Sequence, residues 1–347
     1  MRLALIIYYD FLNIKKIVLV ITLALLLISC KDNLTDPPVK PINPNIVHVR
    51  PHCINDWECG NFIMGVWYDV YIFASQPNRR LKLDKQFKVL EDSLIYEYEE
   101  VFTYISVNKL STKALGGKRR TYSYIYSSSL SEINLQNFSY RLLRDSSHNI
   151  SSAVYLNDDT KCIYHSYGNA SINKQPGFYF FDISSDTDSL LFTYASELGP
   201  YEILNGFDVS PDNQYLLFPV HFWNNEPKIV KYDLQTKKFD TLNLKFDRQL
   251  LWLRFNNAGN QILYSNYPVG AWGPTVGTDS EIGVVELNSL KKRVLDVIPR
   301  PGWKINTFPS WSPDDKHIVY SSAKGPTYEP PGGKGSYILY ILKYVNQ

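Results

Sequence analysis

Along most of this chain, apolar and polar residues alternate in short runs separated by Asn, Asp, Gly, Pro and Ser, and no long helical stripe stands out. Such period-two patterning, punctuated by turn residues, predicts half-buried β-strands. Residues 65–73 (Gly-Val-Trp-Tyr-Asp-Val-Tyr-Ile-Phe) and 121–127 (Thr-Tyr-Ser-Tyr-Ile-Tyr-Ser) each read as a strand, because Tyr, Ile, Val and Phe favour a pleated, half-buried surface. One segment breaks the pattern. Lys15 and Lys16 precede residues 17–28, an uncharged apolar run of about 12 residues. That length suits the hydrophobic region of a signal peptide and falls short of the ~20 residues a spanning helix needs.

The alternation is also periodic on a longer scale. Residues 154–164, 208–218, 254–264 and 310–320 align over their whole length without a gap. Each has an apolar second position (Tyr155, Val209, Phe255, Trp311), a cluster of Asn, Asp, Pro or Gly, and apolar residues ending in an aromatic (Tyr164, Phe218, Tyr264, Tyr320). This is the pattern of a tight hairpin, with turn residues that tolerate positive φ or form side-chain hydrogen bonds to their own backbone. A second motif follows each of the first three: residues 180–183 (Phe-Phe-Asp-Ile), 230–234 (Val-Lys-Tyr-Asp-Leu) and 283–287 (Gly-Val-Val-Glu-Leu). Each leads through a polar turn into another apolar strand, such as residues 238–242. Two hairpins make a four-stranded unit that recurs at roughly 50 residues, about one propeller blade.

Residues 209–218 and 311–320, both carrying Ser-Pro-Asp, resemble the W-S-P-D-G-K repeat of TolB-type, WD40-like (PD40) propellers. The copies at Tyr155 and Phe255 lack Ser-Pro but keep the register. The resemblance covers residues ~150–347 and thins towards the N-terminus, where Gly116-Gly-Lys118 and Ile133-Asn-Leu135 remain. It implies an all-β propeller of four-stranded antiparallel blades. Four blades fit in residues ~150–347 and two more in 54–149, so six blades are expected, with seven as the alternative. The last unit ends after its third strand, residues 336–343. Its missing outer strand is expected from the N-terminal part of the chain, within residues 46–74, which would leave the ring no open gap.

Composition bears on location more than on fold. The apolar run ends in Leu27-Ile28-Ser29-Cys30, which resembles the lipobox of bacterial lipoproteins and implies cleavage before Cys30 and acylation, including palmitate, of that cysteine. Lys31-Asp32-Asn33 resembles the Lys-acidic signal of Bacteroidetes surface lipoproteins, with Asn33 where a second acid is typical. Prolines 37, 38, 41 and 44 make the next stretch a stiff, extended tether. The expected organisation is therefore a signal peptide at 1–29, a lipidated Pro-rich tether at 30–45 and the propeller at 46–347. An exported protein meets an oxidising compartment, and Cys53 and Cys59 enclose five residues, so a local disulfide is expected there. A metal site from His48, His52, Cys53 and Cys59 is the weaker alternative, since the spacing fits no standard zinc pattern. Cys162, inside a strand pattern, reads as a small buried hydrophobe.

With 36 basic against 34 acidic residues, no cationic footprint argues for nucleic acid. No G-x-S-x-G elbow, H-E-x-x-H pair or phosphate-binding glycine loop is present, and no cofactor is implied. The links between hairpins and between blades are long: residues 166–176, 221–227, 266–277 and 323–333, with 198–202 and 299–304 between blades. On a propeller these share one face, and they would gather Tyr167, Tyr201, Glu202, His221, Trp223, Tyr267, Trp272, Arg300, Trp303, Lys304 and Tyr328 there. Aromatic side chains on loops held by a rigid scaffold suit sugar faces or protein hot spots. The expected function is thus non-catalytic: a monomeric cell-envelope lipoprotein, anchored to the outer membrane on its periplasmic side or at the cell surface, that binds a protein or glycan partner. The alternative is a carbohydrate-active lyase or hydrolase working at the propeller funnel, with His221, Glu202 and Arg300 as its first candidates.

Overall fold

The eleven-residue repeat folds as the hairpin that its turn residues dictate. The structure, a computed structural model, describes residues 46–49, 64–75, 79–95, 100–120, 129–193, 202–203, 206–222, 225–246, 248–268, 280–298, 303–324 and 336–344. All described strands belong to the unit Asn45–Gln347. The first strand, β1 (Ile46–Val49), precedes five sheets formed from consecutive segments. Blade 1 contains β2 (Met64–Tyr68), β3 (Tyr71–Ser75), β4 (Arg79–Leu83) and β5 (Val89–Leu94). Blade 2 contains β6 (Glu100–Val107), β7 (Lys113–Arg120), β8 (Leu130–Asn134) and β9 (Tyr140–Arg144). Blade 3 contains β10 (Ile150–Tyr155), β11 (Lys161–Ser166), β12 (Gly177–Asp182) and β13 (Thr187–Phe192). In blade 4 the inner strand is split into β14 (Glu202–Ile203) and β15 (Asp208–Val209), both pairing with β16 (Tyr215–Phe222), which leads to β17 (Asn225–Asp233) and β18 (Phe239–Thr241). Blade 5 contains β19 (Arg248–Phe255), β20 (Gln261–Pro268), β21 (Ser280–Glu286) and β22 (Lys291–Ile298). Blade 6 takes β23 (Trp303–Trp311), β24 (His317–Lys324) and β25 (Ser336–Lys343) from the C-terminal end and β1 from the other.

The six antiparallel sheets form a six-bladed propeller, as expected, and the seven-bladed alternative falls away. The closure is the one expected: β1 runs antiparallel to β25, with Ile46 opposite Leu342, Val47 opposite Ile341, His48 opposite Tyr340 and Val49 opposite Leu339.

Local chemistry explains why strong and weak repeat copies fold alike. The sixth repeat position must turn left-handed, and it holds Asp159, Asn213, Gly259 and Asp315 at φ of 56°, 59°, 74° and 57°. These are the residue types that tolerate that region. In three of the four copies the third position closes the turn with a side-chain acceptor. Ser210 Oγ accepts the Gln214 and Tyr215 amides, and Ser312 Oγ accepts the His317 amide. Asn256 Oδ1 does the same for Asn260 and Gln261, so this copy loses nothing by lacking Ser-Pro, whereas the copy with Leu156 at that position has its turn amide Thr160 bound by Asp158 instead. Asn108 Oδ1 accepts from Thr112 and Lys113 at 2.8 Å each, which makes residues 106–116 a fifth copy of the hairpin. The second hairpins are fixed in a similar way: Asp84, Asn134, Asp182 and Asp233 each accept two amides of the turn that follows.

Two sequence expectations change. Residues 65–73 form two strands, because Asp69 takes φ 49° and turns the chain with Val70 between Tyr68 and Tyr71, which face each other across the hairpin. In blade 4, β16 and β17 stay paired out to Phe222 and Asn225, so most of the expected link at 221–227 belongs to the two strands. The expected strand at 121–127 lies outside the described residues.

The blades are held by apolar wedges and by hydrogen bonds between their turns. Phe178, Phe192, Phe207, Phe218 and Tyr232 pack between blades 3 and 4, and Leu263, Ile282, Trp311 and Tyr320 between blades 5 and 6. Trp67, Ile72 and Leu81 of blade 1 pack on Val319, Leu339 and Ile341 of blade 6, closing the ring. The residues that make the turns also bind the preceding blade. Asn108 Nδ2 donates to Asp159 at 2.9 Å, and the Asn157 amide donates to Asn213 at 3.2 Å. The amide and side chain of Asn257 donate to Asp315 at 2.9 and 2.8 Å. At the outer rim, Arg144 of blade 2 reaches Asp186 and Asp188 of blade 3, and Lys174 and the Tyr164 hydroxyl join on Asp188. Burial alone would raise the Asp188 carboxyl, but hydrogen bonds from Tyr164, Lys174 and Arg144 outweigh it and hold it well below the usual range. Gly283 is required by packing, since a Cβ there would run into the Tyr264 ring.

Cys162 is fully buried, and burial pushes its thiol well up, so it serves as the small core residue that was expected. His165 is also buried, with Nδ1 at 2.5 Å from the Ser151 hydroxyl and its ring between Tyr167 and Phe178. Burial pushes its imidazole down to about 3.

Two outcomes follow from this architecture. On an edge strand, alternate amides point into the ladder and away from it. One of Val47→Pro and His48→Pro should therefore cost about 2–3 kcal/mol in urea unfolding and the other much less. Equal, small effects would mean that β1 does not close blade 6. His165 gives the second outcome. The unfolded chain protonates it near pH 6.5, while the folded protein keeps it neutral down to about pH 3, so stability is lost as pH falls through that window. The slope from this group should approach about 1.4 kcal/mol per pH unit. His165→Gln should remove that part of the pH dependence of urea unfolding; an unchanged slope would show that the imidazole is not held neutral.

Candidate functional site

Antiparallel order assigns the connections to two opposite faces. Turns within hairpins, such as 156–160, 210–214, 256–260 and 312–316, lie on one face, and links between hairpins and between blades lie on the other. The residues expected to bind a partner belong to the link face. Tyr167 follows β11, is 37% exposed and sets its ring edge-on to His165. Glu202 opens β14 and stands directly opposite His221 near the end of β16. Tyr267 lies at the end of β20 opposite Gln249, and Trp303 opens β23 opposite Lys324. The backbone thus brings these strand ends to one face. Tyr201, Trp223, Trp272, Arg300 and Tyr328 lie outside the described residues, as do Cys30, Cys53 and Cys59. Among the described residues, no three His, Cys, Asp or Glu side chains gather as metal ligands would.

The opposite face holds a feature of its own. The inner strands of all six blades end around a funnel of about 230 Å³. Its wall comes mainly from the first four positions of the repeat. Blade 3 supplies Val154, Tyr155 and Asn157; blade 4, Asp208, Val209 and Pro211; blade 5, Arg254, Phe255, Asn256 and Asn257; blade 6, Ser310, Trp311 and Pro313. Ser106, Asn108 and Lys109 come from blade 2, and Val66 and Trp67 from blade 1. Aromatic, apolar and hydrogen-bonding groups therefore share one small concavity, the usual composition of a ligand site.

One charged pair sits in this wall. Asp208 accepts the Val209 amide at 3.0 Å and, across the blade boundary, the Phe255 amide at 2.8 Å. Arg254 reaches back and donates from Nη1 to the Phe207 carbonyl at 2.9 Å. Burial raises the Asp208 carboxyl, with Arg254 and the two amides opposing, and burial lowers the Arg254 guanidinium, with Asp208 opposing. Each charge thus makes the other tolerable in the wall. The sequence signal was available: the first repeat position reads Val154, Asp208, Arg254 and Ser310, uncharged in the first and last copies and oppositely charged in the two adjacent blades between them.

No protein-family profile matches this chain, and no characterised protein matches it by sequence. Solved structures do match. TolB from Acinetobacter baumannii superimposes with a TM-score of 0.53 at 13% identity, over 84% of this chain and 65% of that one. The chain thus spans about two thirds of the length of that protein. A TolB homologue described as putative, from Agrobacterium tumefaciens, gives 0.56 at 12% identity, over 87% of this chain and 97% of the other. An oligogalacturonate lyase in complex with manganese gives 0.50 at 14% identity, over 80% and 76%. A chain from a nidogen–laminin complex gives 0.51 at 11%, over 80% and 97%. At these identities the likeness establishes the fold and nothing narrower: the chain is a six-bladed β-propeller of the architecture found in TolB proteins.

Proposed function

We propose that this chain is an exported lipoprotein of the cell envelope whose propeller binds a protein or glycan partner without transforming it. The observation that carries the reading is the closed six-bladed ring itself, with short turns on one face and the aromatic-bearing links on the other. A rigid ring of this kind presents loops at little entropic cost on binding. The occurrence of the same fold in TolB proteins and in a nidogen–laminin complex agrees with a role in binding partners. The anchor is Cys30, after removal of residues 1–29, and the Pro-rich residues 30–45 lead into β1. An extended tether of that length reaches about 50 Å at ~3 Å per residue, enough to hold the ring clear of the outer membrane. In this reading the partner meets Tyr201, Glu202, His221, Trp223, Tyr267, Trp272, Arg300, Trp303 and Tyr328, and the propeller acts as a monomer. Cys53 and Cys59 form a local disulfide.

A second reading, a carbohydrate-active lyase or hydrolase, has one observation in its favour. Glu202 and His221, an acid and a base, are direct register partners at the link face, and an oligogalacturonate lyase shares the fold. It predicts glycan cleavage that is lost in Glu202→Gln and His221→Ala.

The binding reading is tested with the soluble form starting at Lys31, used in pull-down and glycan-array experiments. Trp223→Ala, Trp272→Ala and Trp303→Ala combined should weaken capture of the partner by at least about tenfold, with unchanged melting. Capture at wild-type strength would remove the link face from the binding site. In the full chain, Cys30→Ser should abolish palmitate labelling and move the protein from the membrane to the soluble fraction.

A further inference from the structure

The register of the closing strand decides where the N-terminal segment joins the ring. Strand β24 leaves the hairpin turn 312–316 at His317, opposite Lys343 of β25, and reaches the link face at Lys324, opposite Ser336. Strand β1 begins at Ile46 opposite Leu342 and ends at Val49 opposite Leu339. Its first residue thus stands at the hairpin-turn end of blade 6, on the outermost strand and beside the exposed Lys343. Whatever precedes Ile46 in the chain, the Pro-rich tether and Cys30 included, therefore joins the ring on the hairpin-turn face, opposite the link face.

The charges of that face are arranged around the same point. The turn of each second hairpin lies at the outer rim. In blades 4, 5 and 1 these turns carry exposed lysine pairs, Lys237 with Lys238, Lys291 with Lys292, and Lys85 with Lys88. The corresponding turns of blades 2 and 3, residues 134–139 and 182–187, hold no lysine. Among the described residues none of the six is ion-paired, whereas Lys113 and Lys161 of the inner turns are tied to Glu132 and Asp158 at 3.3 and 3.1 Å. The acids in the lysine-bearing turns are half-buried and occupied: Asp84 and Asp233 accept turn amides, and Glu286 accepts the Ser289 hydroxyl. The exposed turn acids lie elsewhere, Asp69, Asp158, Asp212 and Asp314 on the inner turns nearer the axis and Asp186 across the ring, held by Arg144. Positive charge is thus gathered on one arc of the rim, from blade 4 through blades 5 and 6 to blade 1, and the tether enters within it. Attraction between lysines and anionic headgroups falls off within a Debye length of about 8–10 Å, so it acts on the side of the disc turned to the bilayer. A tether that already holds the ring at the membrane lets a weak attraction of this kind set its orientation.

We propose that this arc of outer turns is a docking surface for an anionic lipid bilayer, so that the tethered ring rests its hairpin-turn face on the membrane and presents its link face away from it. The inference rests on the membrane anchor of the proposed function and deepens it, by fixing which way the partner-binding face points. The tether is long enough for the ring to stand clear of the bilayer or to lie against it, so its length does not choose the posture and the lysines do.

The test holds the form starting at Lys31 on vesicles through an N-terminal polyhistidine tag and nickel-chelating lipid, with Cys53 and Cys59 changed to Ser. The tether is then anchored whether or not Cys30 is acylated, and failure of the natural anchor is read separately from the fractionation of Cys30→Ser. A donor dye is placed at Asn288→Cys, in the outer turn of blade 5, or at Ala170→Cys, in the link of blade 3, both exposed positions. Energy transfer is measured to a headgroup-labelled lipid. Eight-residue strands such as β24 set the two faces about 25 Å apart. On equal parts of phosphatidylglycerol and phosphatidylcholine, the Asn288 dye should transfer at least about twofold more than the Ala170 dye. On phosphatidylcholine alone, or in ~1 M salt, where screening shortens to about 3 Å, the difference should collapse. Changing Lys237, Lys238, Lys291 and Lys292 together to Gln should abolish it on the charged vesicles, with unchanged melting. Equal transfer from the two positions on charged vesicles would overturn the proposal, and so would greater transfer from Ala170, which would turn the link face to the lipid. A difference that persists in the fourfold variant or on neutral lipid would also overturn it, by giving the orientation to the tether alone.

Discussion

The four-residue pairing of β1 with β25 is the contact on which the ring depends. Each blade is a small twisted sheet that cannot bury both faces alone, so it is stable only between two neighbours. Five of the boundaries join blades formed from consecutive stretches of chain. The sixth, where Trp67, Ile72 and Leu81 meet Val319, Leu339 and Ile341, is reached only when the two ends of the chain have come together. Strand β1 then covers the edge that β25 would otherwise expose, an edge rich in Ile, Leu and Tyr and thus prone to pair with other chains. Because the loop that this pairing closes is nearly the whole propeller, its contacts are the least local in the molecule and are expected to form late in folding.

The turns show how a degenerate repeat keeps one geometry. The copies at Ser210 and Asn256 look different as sequences, yet the third position in each offers a side-chain oxygen to the same two amides, and Ser312 offers one to the second of them. This is why the copies at 208–218, 254–264 and 310–320 could be aligned from their residues, and the blade period read from them. The copy at 106–116 escaped notice because Ser-Val-Asn-Lys-Leu-Ser lacks Asp, Pro and Gly at its tip, and the capping role of Asn108 shows only when its bonds are seen. The hairpin at Tyr68–Tyr71 was hidden for a related reason: a lone Asp69 at positive φ is enough to turn the chain inside an otherwise apolar run.

The candidate sites were legible to different degrees. Loop length and aromatic content pointed to the link face directly, because both are properties of local sequence. The funnel is made by six short contributions far apart in the chain, and only their radial convergence turns Asp208, Arg254, Trp67 and Trp311 into neighbours of one cavity. Opposite charges at one repeat position in consecutive blades were the only local sign of it. The pair is costly to bury and makes Arg254 the least replaceable cation of the wall, since its loss would leave Asp208 with raised affinity for a proton and no counter-charge. The two faces therefore differ in kind, one built from links of differing length and the other from the repeated geometry of the hairpins.

The account stands on a closed ring in which the N-terminal strand belongs to the C-terminal blade. The most direct measurement is disulfide mapping by mass spectrometry on the soluble form, with Val47→Cys and Ile341→Cys introduced together and Cys53 and Cys59 changed to Ser. These positions face each other in the β1–β25 register, so oxidation should link the two peptides within one chain and raise the urea midpoint. A chain that folds but shows no 47–341 link, or links only between molecules, would contradict the closure and with it the architecture described here.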